Sequence, residues 1–478
     1  MTDNSSLKNF LEIPYSQLEE INLKAKEKRG TTDPKILEEE YRQYLEKEKR
    51  IKAVTLCFSD IEGRFHMLDY DKKYLLNSSS NLTFDGSSIR GFSQLAESDL
   101  RLEVDWSSIV WLPSDLFGSG KVVMFADVLN RDRSIYSSDF RGKLKSLARK
   151  LKEKERMEVY ASTEIEGFLV DGANAEQNYD DKVGFKLIST GGYYHSLPLD
   201  RLRRFIDVTA EAQRAMGFQN EKDHPEVAPS QFELNFSYTE VVRACDLIQL
   251  YKLVCRQVAD TMGMTATFLP KPIANINGSG MHTNISLAKN GKNLFYDKNG
   301  RDGLSPLAWD FILKILNHAP EICLAINPSV NAYRRLDPNF EAPNQIKVSA
   351  IDRGSMIRIP VGNSQTARIE IRSVAPDANP YLALYTILKT GLEGKKLKKE
   401  KDKRDRLRFL PGNIYDAIKL YKASDFIGKI LDEDNKEKYL TYKAAVANRS
   451  PKELGKLVKT SEIIYHHEVT NQFLWNKF

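Results

Sequence analysis

The sequence predicts an α+β protein. Strand-like and helix-like stretches follow one another without regular alternation, and no glycine-rich turn follows a strand in the dinucleotide-binding pattern. Composition is that of an ordinary globular chain, 41% apolar and 28% charged over 478 residues. At roughly 150 residues per domain, that length points to two or three domains.

The first fifty residues are polar and rich in Glu and Lys, and Ile36 to Leu45 repeats at helical spacing, so a helical lead-in is expected. Ile51 to Phe58 reads as a strand. Ser59-Asp60-Ile61-Glu62-Gly63 then turns into Arg64 to Met67, which makes a hairpin. Lys121 to Val128 is a further strand. Ser138 and Asp139 precede a basic amphipathic helix from Lys143 to Lys154. Tyr160 to Val170 is strand-like. Helices are expected over Leu199–Gly217 (Asp200 at its cap, Gly217 at its stop), Thr239–Met262, Leu304–Asn317 and Pro380–Glu393.

No apolar run approaches the ~18 residues of a membrane span, and the start lacks a basic end followed by an apolar stretch. A net charge of +6 is too thin over this length to argue for nucleic acid. Cys57, Cys245, Cys255 and Cys323 form no CxxC pair, so neither structural zinc nor a redox motif is suggested. These features point to a cytoplasmic protein with reduced thiols and neither membrane nor nucleic acid as partner.

Four constellations could carry chemistry. Glu164 and Glu166 share one face of a strand with Phe168 and Val170. His224 to Glu233 adds Glu226 and Glu233 in a segment that Pro229 prevents from being helical. Asn277-Gly278-Ser279-Gly280-Met281-His282 joins two glycines to an imidazole. Arg334, Arg335, Arg353, Arg358, Arg368 and Arg372 crowd together, and Arg368-Ile369-Glu370-Ile371-Arg372 alternates strictly. Taken singly, they read more simply as a solvated face, a polar loop, a structural histidine and an exposed edge strand. Together, five glutamates and a histidine without thiolate suit Mg²⁺ or Mn²⁺. Arginines beside such ions describe a phosphoryl-transfer site. No GxxxxGK[ST] loop and no protein-kinase signature set is present.

In order along the chain stand Phe84-Asp85-Gly86-Ser87-Ser88, Glu97-Ser98-Asp99, Glu164-x-Glu166, Gly191-Gly192-Tyr193, His224-Pro225-Glu226-Val227-Ala228-Pro229, Ala266 to Pro272, Asn277 to His282, Glu341-Ala342-Pro343, Ile357-Arg358-Ile359-Pro360 and Ala378-Asn379-Pro380-Tyr381-Leu382. This series resembles glutamine synthetase of the bacterial type, in register from about residue 50 to 393. The resemblance implies a small N-terminal β-grasp-like domain over 51–130 and a large catalytic α+β domain over 131–478 (glutamine synthetase/guanido kinase-like). Residues 1–50 are left as a polar helical extension.

It further implies a ligase joining glutamate to ammonia with ATP through γ-glutamyl phosphate, in a homo-oligomer of dodecamer type with sites between subunits. Glu166, Glu226 and Glu233 resemble the ligands of one divalent ion, and Glu164, His282 and Glu370 those of a second that bridges the ATP phosphates. Arg335 and Arg372 match residues holding glutamate's carboxylate, with Asn277 and Gly278 at its other end. Arg353 and Arg358 would face the phosphates. Tyr238 and Ser286 would lie near the nucleotide, and Glu341 on a flap. Asp85, from the next subunit, would bind ammonium and take its proton, with Tyr193 nearby. A positioned base is needed because ammonium must lose a proton to become a nucleophile.

Some positions depart from the family pattern: Pro225 and Asn284 stand in place of histidines, Gln365 in place of a lysine, Asp352-Arg353-Gly354 in place of Asn-Arg-Ser, and Ser373 to Asp377 is altered. Gln94 replaces an arginine of a feedback-inhibited subclass. Tyr415 lacks the acidic, proline-bearing context of the tyrosine that some members adenylylate. The alternatives are a ligase joining glutamate to a larger amine such as a polyamine, and a catalytically weak oligomer of the same fold. Lys395 to Arg408, with nine basic and three acidic residues, reads as a solvated loop or an anion site.

Overall fold

The computed structural model describes residues 13–49, 51–89, 91–92, 99–180, 183–336, 342–396 and 407–457, with side chains described to residue 448. Two helices lead in, α1 (Tyr15–Thr31) and α2 (Pro34–Lys47). Asp33 caps α2, accepting from the Lys35 N–H, and Pro34 occupies the first turn, where its missing N–H costs nothing. Leu37, Tyr41 and Leu45, four residues apart, turn inward together.

A mixed sheet follows, in the order β2-β1-β6-β4-β3 with β5 beside β6. Its strands are β1 (Ala53–Ser59), β2 (Phe65–Asp71), β3 (Leu82–Asp85), β4 (Asp99–Val104), β5 (Val110–Trp111) and β6 (Val122–Leu129). The β1–β2 hairpin forms as its sequence requires, and β1 runs parallel to β6. Both faces of this sheet are covered. Val54, Leu56, Val122 and Met124 pack under α1 and α2, while Cys57, Val123 and Phe125 join the main core. This is the β-grasp domain.

The larger domain holds α3 (Phe140–Lys150), β7 (Met157–Asp171), α4 (Arg201–Ala215), β8 (Asn220–Pro225), β9 (Gln231–Phe236), α5 (Val241–Thr261), β10 (Met264–Thr267), β11 (Met281–Lys289), α6 (Pro306–Ile326), α7 (Val330–Arg335), β12 (Gln345–Ser349), β13 (Ser355–Arg358), β14 (Ile369–Ile371), α8 (Pro380–Glu393) and a helical end over 414–457. Its sheet runs β12-β13-β14-β11-β7-β9-β8, with β10 also on β7. Asp139 and Asp200 cap α3 and α4 as expected, and Gly217 takes φ +77° after α4.

Three expectations are adjusted. The helix read as Leu304–Asn317 continues through Pro320 to Ile326, because Ile322, Leu324 and Ile326 are fully buried and that burial outweighs the lost hydrogen bond. The segment His224–Glu233 is not simply a loop: its two ends lie in paired strands. The strand Ile369–Ile371 lies inside the sheet rather than at an exposed edge. All four cysteines are free and buried. No helix among the described residues is long and apolar enough to cross a membrane. Most of the Lys395–Arg408 block, and Gln94, lie outside the described residues.

Candidate active site

The site is a product of strand register. Across the larger sheet Arg358 stands opposite Glu370, His282 opposite Glu164, and Glu166 opposite Glu233, which in turn faces His224. Side chains on directly opposed residues share a face, so these staggered pairings gather carboxylates and imidazoles from separate stretches.

Two groups of ligand-type side chains result. Glu164, His282 and Glu370 bring one donor atom each within 4.8 Å of one another, and so do His224, Glu226 and Glu233. Glu166 lies between them. Its Oε2 accepts from the Gly280 N–H at 2.7 Å, and its Oε1 is 3.8 Å from His282 Nε2. Glu370 is fully buried, and neither carboxylate oxygen makes an aligned hydrogen bond, although Arg358 Nε lies 2.5 Å from Oε2.

The electrostatics are those of crowded carboxylates. Burial, then Glu166, pushes Glu226 up to about 7. Burial and the charges of Glu166, Glu164 and Glu226 push Glu233 well upward. Burial would raise Glu164 too, but His282, Asn284 and Arg358 pull it down to about 2. Burial lowers His224, favouring the neutral imidazole that a metal ligand needs. Oxygen donors with one or two imidazoles, held together against their own repulsion, fit hard divalent cations.

A cavity of about 150 Å³ opens over this row. Glu164, Glu166, Tyr193, Glu226, Glu233, Asn277, Gly278, His282, Arg335, Arg353, Arg358 and Arg372 line it, all of them singled out from sequence. Arg335 is buried. It donates to the Arg372 carbonyl at 2.8 Å and the Val374 carbonyl at 3.2 Å, and burial lowers it to about 10. Gly278 has to be glycine: a Cβ there would meet the Pro270 carbonyl oxygen at 2.5 Å and Arg335 Cγ at 2.9 Å. The exposed Tyr193 stacks on Tyr194, with centroids 3.9 Å apart, and meets His224 edge-on.

Tyr238 and Ser286 line a neighbouring cavity of about 210 Å³ that shares Glu164 with the first. Asn284 lies between the cavities. Its amide donates to Glu164 Oε1 at 3.2 Å, and its carbonyl accepts from Arg368 Nε at 3.0 Å.

Two expected residues are not assembled here. Asp85 is exposed at the end of β3 and absent from the cavity lining. Its oxygens accept from Ser87 and Ser88, which hold it below its ordinary value. Glu341 lies outside the described residues. Sequence reasoning missed His224 as a donor and Asn284 and Arg368 as a linked pair. The available signal for His224 was strand alternation after Asn220, broken to the eye by Pro225.

A sheet face that concentrates carboxylates, imidazoles and arginines over two neighbouring cavities is suited to divalent ions and acidic substrates, in a larger domain beside a β-grasp domain. The family model for the glutamine synthetase catalytic domain matches residues 137–455, and that for the glutamine synthetase β-grasp domain matches residues 50–131. The chain belongs to the glutamine synthetase family, as the sequence resemblance implied.

Among its relatives, a glutamine synthetase of Staphylococcus aureus (strain Mu50 / ATCC 700699) is 36% identical over 415 residues, covering 82% of this chain and 90% of that protein. One from Methanosarcina mazei is 37% identical over 419 residues, covering 83% and 91%. The cryo-EM structure of Plasmodium falciparum glutamine synthetase shares the fold, with a TM-score of 0.77 at 21% identity over 90% of this chain and 98% of that one. A GmaS/ADP complex is also similar, with a TM-score of 0.73 at 26% identity over 86% and 96%.

Proposed function

We propose that the chain joins glutamate to ammonia at the expense of ATP, making glutamine through γ-glutamyl phosphate. The observation that carries this reading is the meeting of four carboxylates, His282 and four arginines around one cavity that adjoins a second at Glu164, with the buried Glu370 grouped with Glu164 and His282. Glu166, Glu226 and Glu233 would hold one divalent ion, Mg²⁺ or Mn²⁺, with His224 beside them; Glu164, His282 and Glu370 would hold another. Such ions, when bound, offset the charge of the nucleotide phosphates.

The side chains divide the remaining work. Arg335 and Arg372 would bind glutamate's carboxylate, with Asn277 and Gly278 at the opposite end. Arg353 and Arg358 would neutralise charge on the transferring phosphoryl group. Tyr238 and Ser286, in the larger of the two neighbouring cavities, would border ATP. A carboxylate is a poor acyl donor, and phosphorylation gives it a leaving group that must then be shielded from water. Glu341 and its flap are proposed to supply that shield. Asp85, held ionised by Ser87 and Ser88, is suited to capture ammonium and accept its proton from a neighbouring subunit, with Tyr193 and Glu226 completing the cation pocket. That requirement calls for a homo-oligomer, and the family resemblance implies one of dodecamer type. The proposed domain bounds are 51–130 and 131–478, after an extension over 1–50.

The test mixes the protein with ATP, Mg²⁺, glutamate and a panel of amines while phosphate release is followed. Ammonia-dependent release supports the proposal. Release dependent on putrescine or spermidine transfers the function to a larger amine, and no release with any amine reduces the protein to a non-catalytic oligomer.

A further inference from the structure

Tyr194 holds a backbone conformation that tyrosine seldom takes, with φ +57° in the left-handed region. The His195 N–H donates to the Gly192 carbonyl at 2.9 Å, so Gly192 to His195 form a four-residue turn with Tyr194 in its third position. Positive φ at that position ordinarily selects glycine or asparagine, because a Cβ crowds the backbone there. A tyrosine in such a place is a local cost, and costs of this kind collect where a side chain is used.

The turn is seated on both neighbours of Glu226. The Tyr194 N–H donates to the Pro225 carbonyl at 3.3 Å, and a Cβ on Gly192 would meet the Val227 carbonyl oxygen at 3.2 Å. So held, the Tyr194 ring lies back over Tyr193, with centroids 3.9 Å and planes 28° apart, and stands edge-on to His224 at 4.8 Å. Both tyrosines are exposed, so the turn and not core packing places them. Their hydroxyls meet: that of Tyr193 donates to that of Tyr194 at 2.8 Å. Of the two, only Tyr193 lines the cavity that holds the carboxylates. The bond to Tyr194, then burial and the charge of Glu226, hold the Tyr193 phenol above its ordinary range, so it keeps the proton it donates.

A phenol has a single hydrogen to donate and lone pairs with which to accept. Free to rotate near Glu226 and Glu233, the Tyr193 hydroxyl would turn that hydrogen toward their negative charge. Committed to Tyr194, it offers the cavity lone pairs alone. A protonated amine is the complement, carrying donors and no acceptor. We propose that Tyr194 is a positioning residue for the amine: by taking the Tyr193 hydrogen it fixes that hydroxyl as an acceptor, and so favours a cationic amine beside Glu226. The inference rests on the proposed function, in which Tyr193 and Glu226 face the amine.

The test follows phosphate release against ammonium at saturating ATP and glutamate, with the full-length protein. Tyr194→Phe keeps the ring and loses the acceptor. Its KM for ammonium should rise about fivefold, in the range of one net hydrogen bond. The loss should fall on that KM rather than on kcat or on the KM values for ATP and glutamate, the split expected when a binding contact is removed. Tyr194→Gly suits φ +57° better than tyrosine does, so a role confined to the turn would leave the ammonium KM unchanged there, whereas the proposal requires it to rise. Tyr193→Phe and the double variant, Tyr193→Phe with Tyr194→Phe, should be equally impaired, because Tyr194 acts only through Tyr193. An unchanged ammonium KM in Tyr194→Phe, or losses that add in the double variant, overturns the inference and leaves the ammonia reading standing. Release that depends on a larger amine overturns that reading instead, and the same variants then decide the inference on the KM for that amine. No release with any amine overturns both.

Discussion

Glu226→Gln separates the cost of the carboxylate row from its use. In the metal-free protein Glu226 is raised from 4.5 to about 7, by burial and then by Glu166. The rise is worth roughly 3 kcal/mol at 1.36 kcal/mol for each tenfold change in acidity. The folded value lies above the unfolded one, so the favourable contribution is complete below about pH 4.5 and is lost as pH rises through about 7. At pH 8 the ionised side chain therefore opposes folding. Glutamine is neutral, nearly isosteric, and keeps an oxygen to accept from the Val227 N–H, a bond of 2.9 Å in the wild type. In chelator at pH 8 the variant should melt higher, by about 3 °C if roughly 0.9 kcal/mol/K of unfolding entropy applies to a chain of this size. At pH 5 most of the difference should vanish. Adding Mg²⁺ or Mn²⁺ stabilises whichever protein binds it better, so the order should invert, with the wild type melting above the variant. Thermal melts in chelator and in metal, at both pH values, decide the matter. A variant no more stable than wild type in chelator at pH 8, or equal gains from metal in both proteins, would refute the idea that Glu226 is a strained acid held for a cation.

Glu370→Ala should bring phosphate release to background while the fold, followed by circular dichroism, persists; near-normal turnover would remove Glu370 from the metal set. Asp85→Ala should raise the ammonium concentration needed for half-maximal rate and leave ADP binding, measured by calorimetry, close to wild type. Asn284→Ala breaks the Glu164–Asn284–Arg368 link and should weaken ADP binding about tenfold; an unchanged affinity would make that link incidental. Arg141→Met removes the buried guanidinium shared by Asp127, Asp246 and Asp105, the last two at 2.9 Å, leaving Asp127 and Asp105 to Lys145 and Asp246 to Arg29, and should cost about 3 kcal/mol in denaturant titrations.

What could be read without coordinates was whatever obeys a short period. Glu164 and Glu166 sit two apart on β7, and alternation alone puts them on one face. Leu37, Tyr41 and Leu45 announce α2 in the same way. Helix α1 falls within the expected helical lead-in, but its buried face, Leu18, Asn22 and Ala25, could not be picked out because it is not an apolar stripe. Asn22 closes that seam by hydrogen bonding, donating to the Trp111 and Ala215 carbonyls and accepting from the Trp111 N–H. Arg368 to Arg372 looked like an amphipathic edge because its charged face was assumed to meet water. Neighbours on both sides leave Glu370 with no solvent at all. Asp85 shows the opposite limit: its motif was recognisable, yet one chain alone does not carry it to the cavity.

The deeper reason lies in register. Glu370 faces Arg358, Glu164 faces His282, and Glu166 faces Glu233 only because each strand is aligned to the residue. A slip of one residue between β11 and β7 would set Thr283 against Glu164 and turn one strand's ligands to the other face. Sequence motifs supply the right residues but not that alignment. The alignment is set by the apolar residues between the ligands, Ile165, Met281, Ile357 and Ile371, each buried to 1% exposure or less. A slip would carry those side chains out of the core, at about 1.5–3 kcal/mol apiece. The same alternation that exposes each ligand to the cavity thus buries the residue beside it, and core packing holds the charged row in place against its own repulsion.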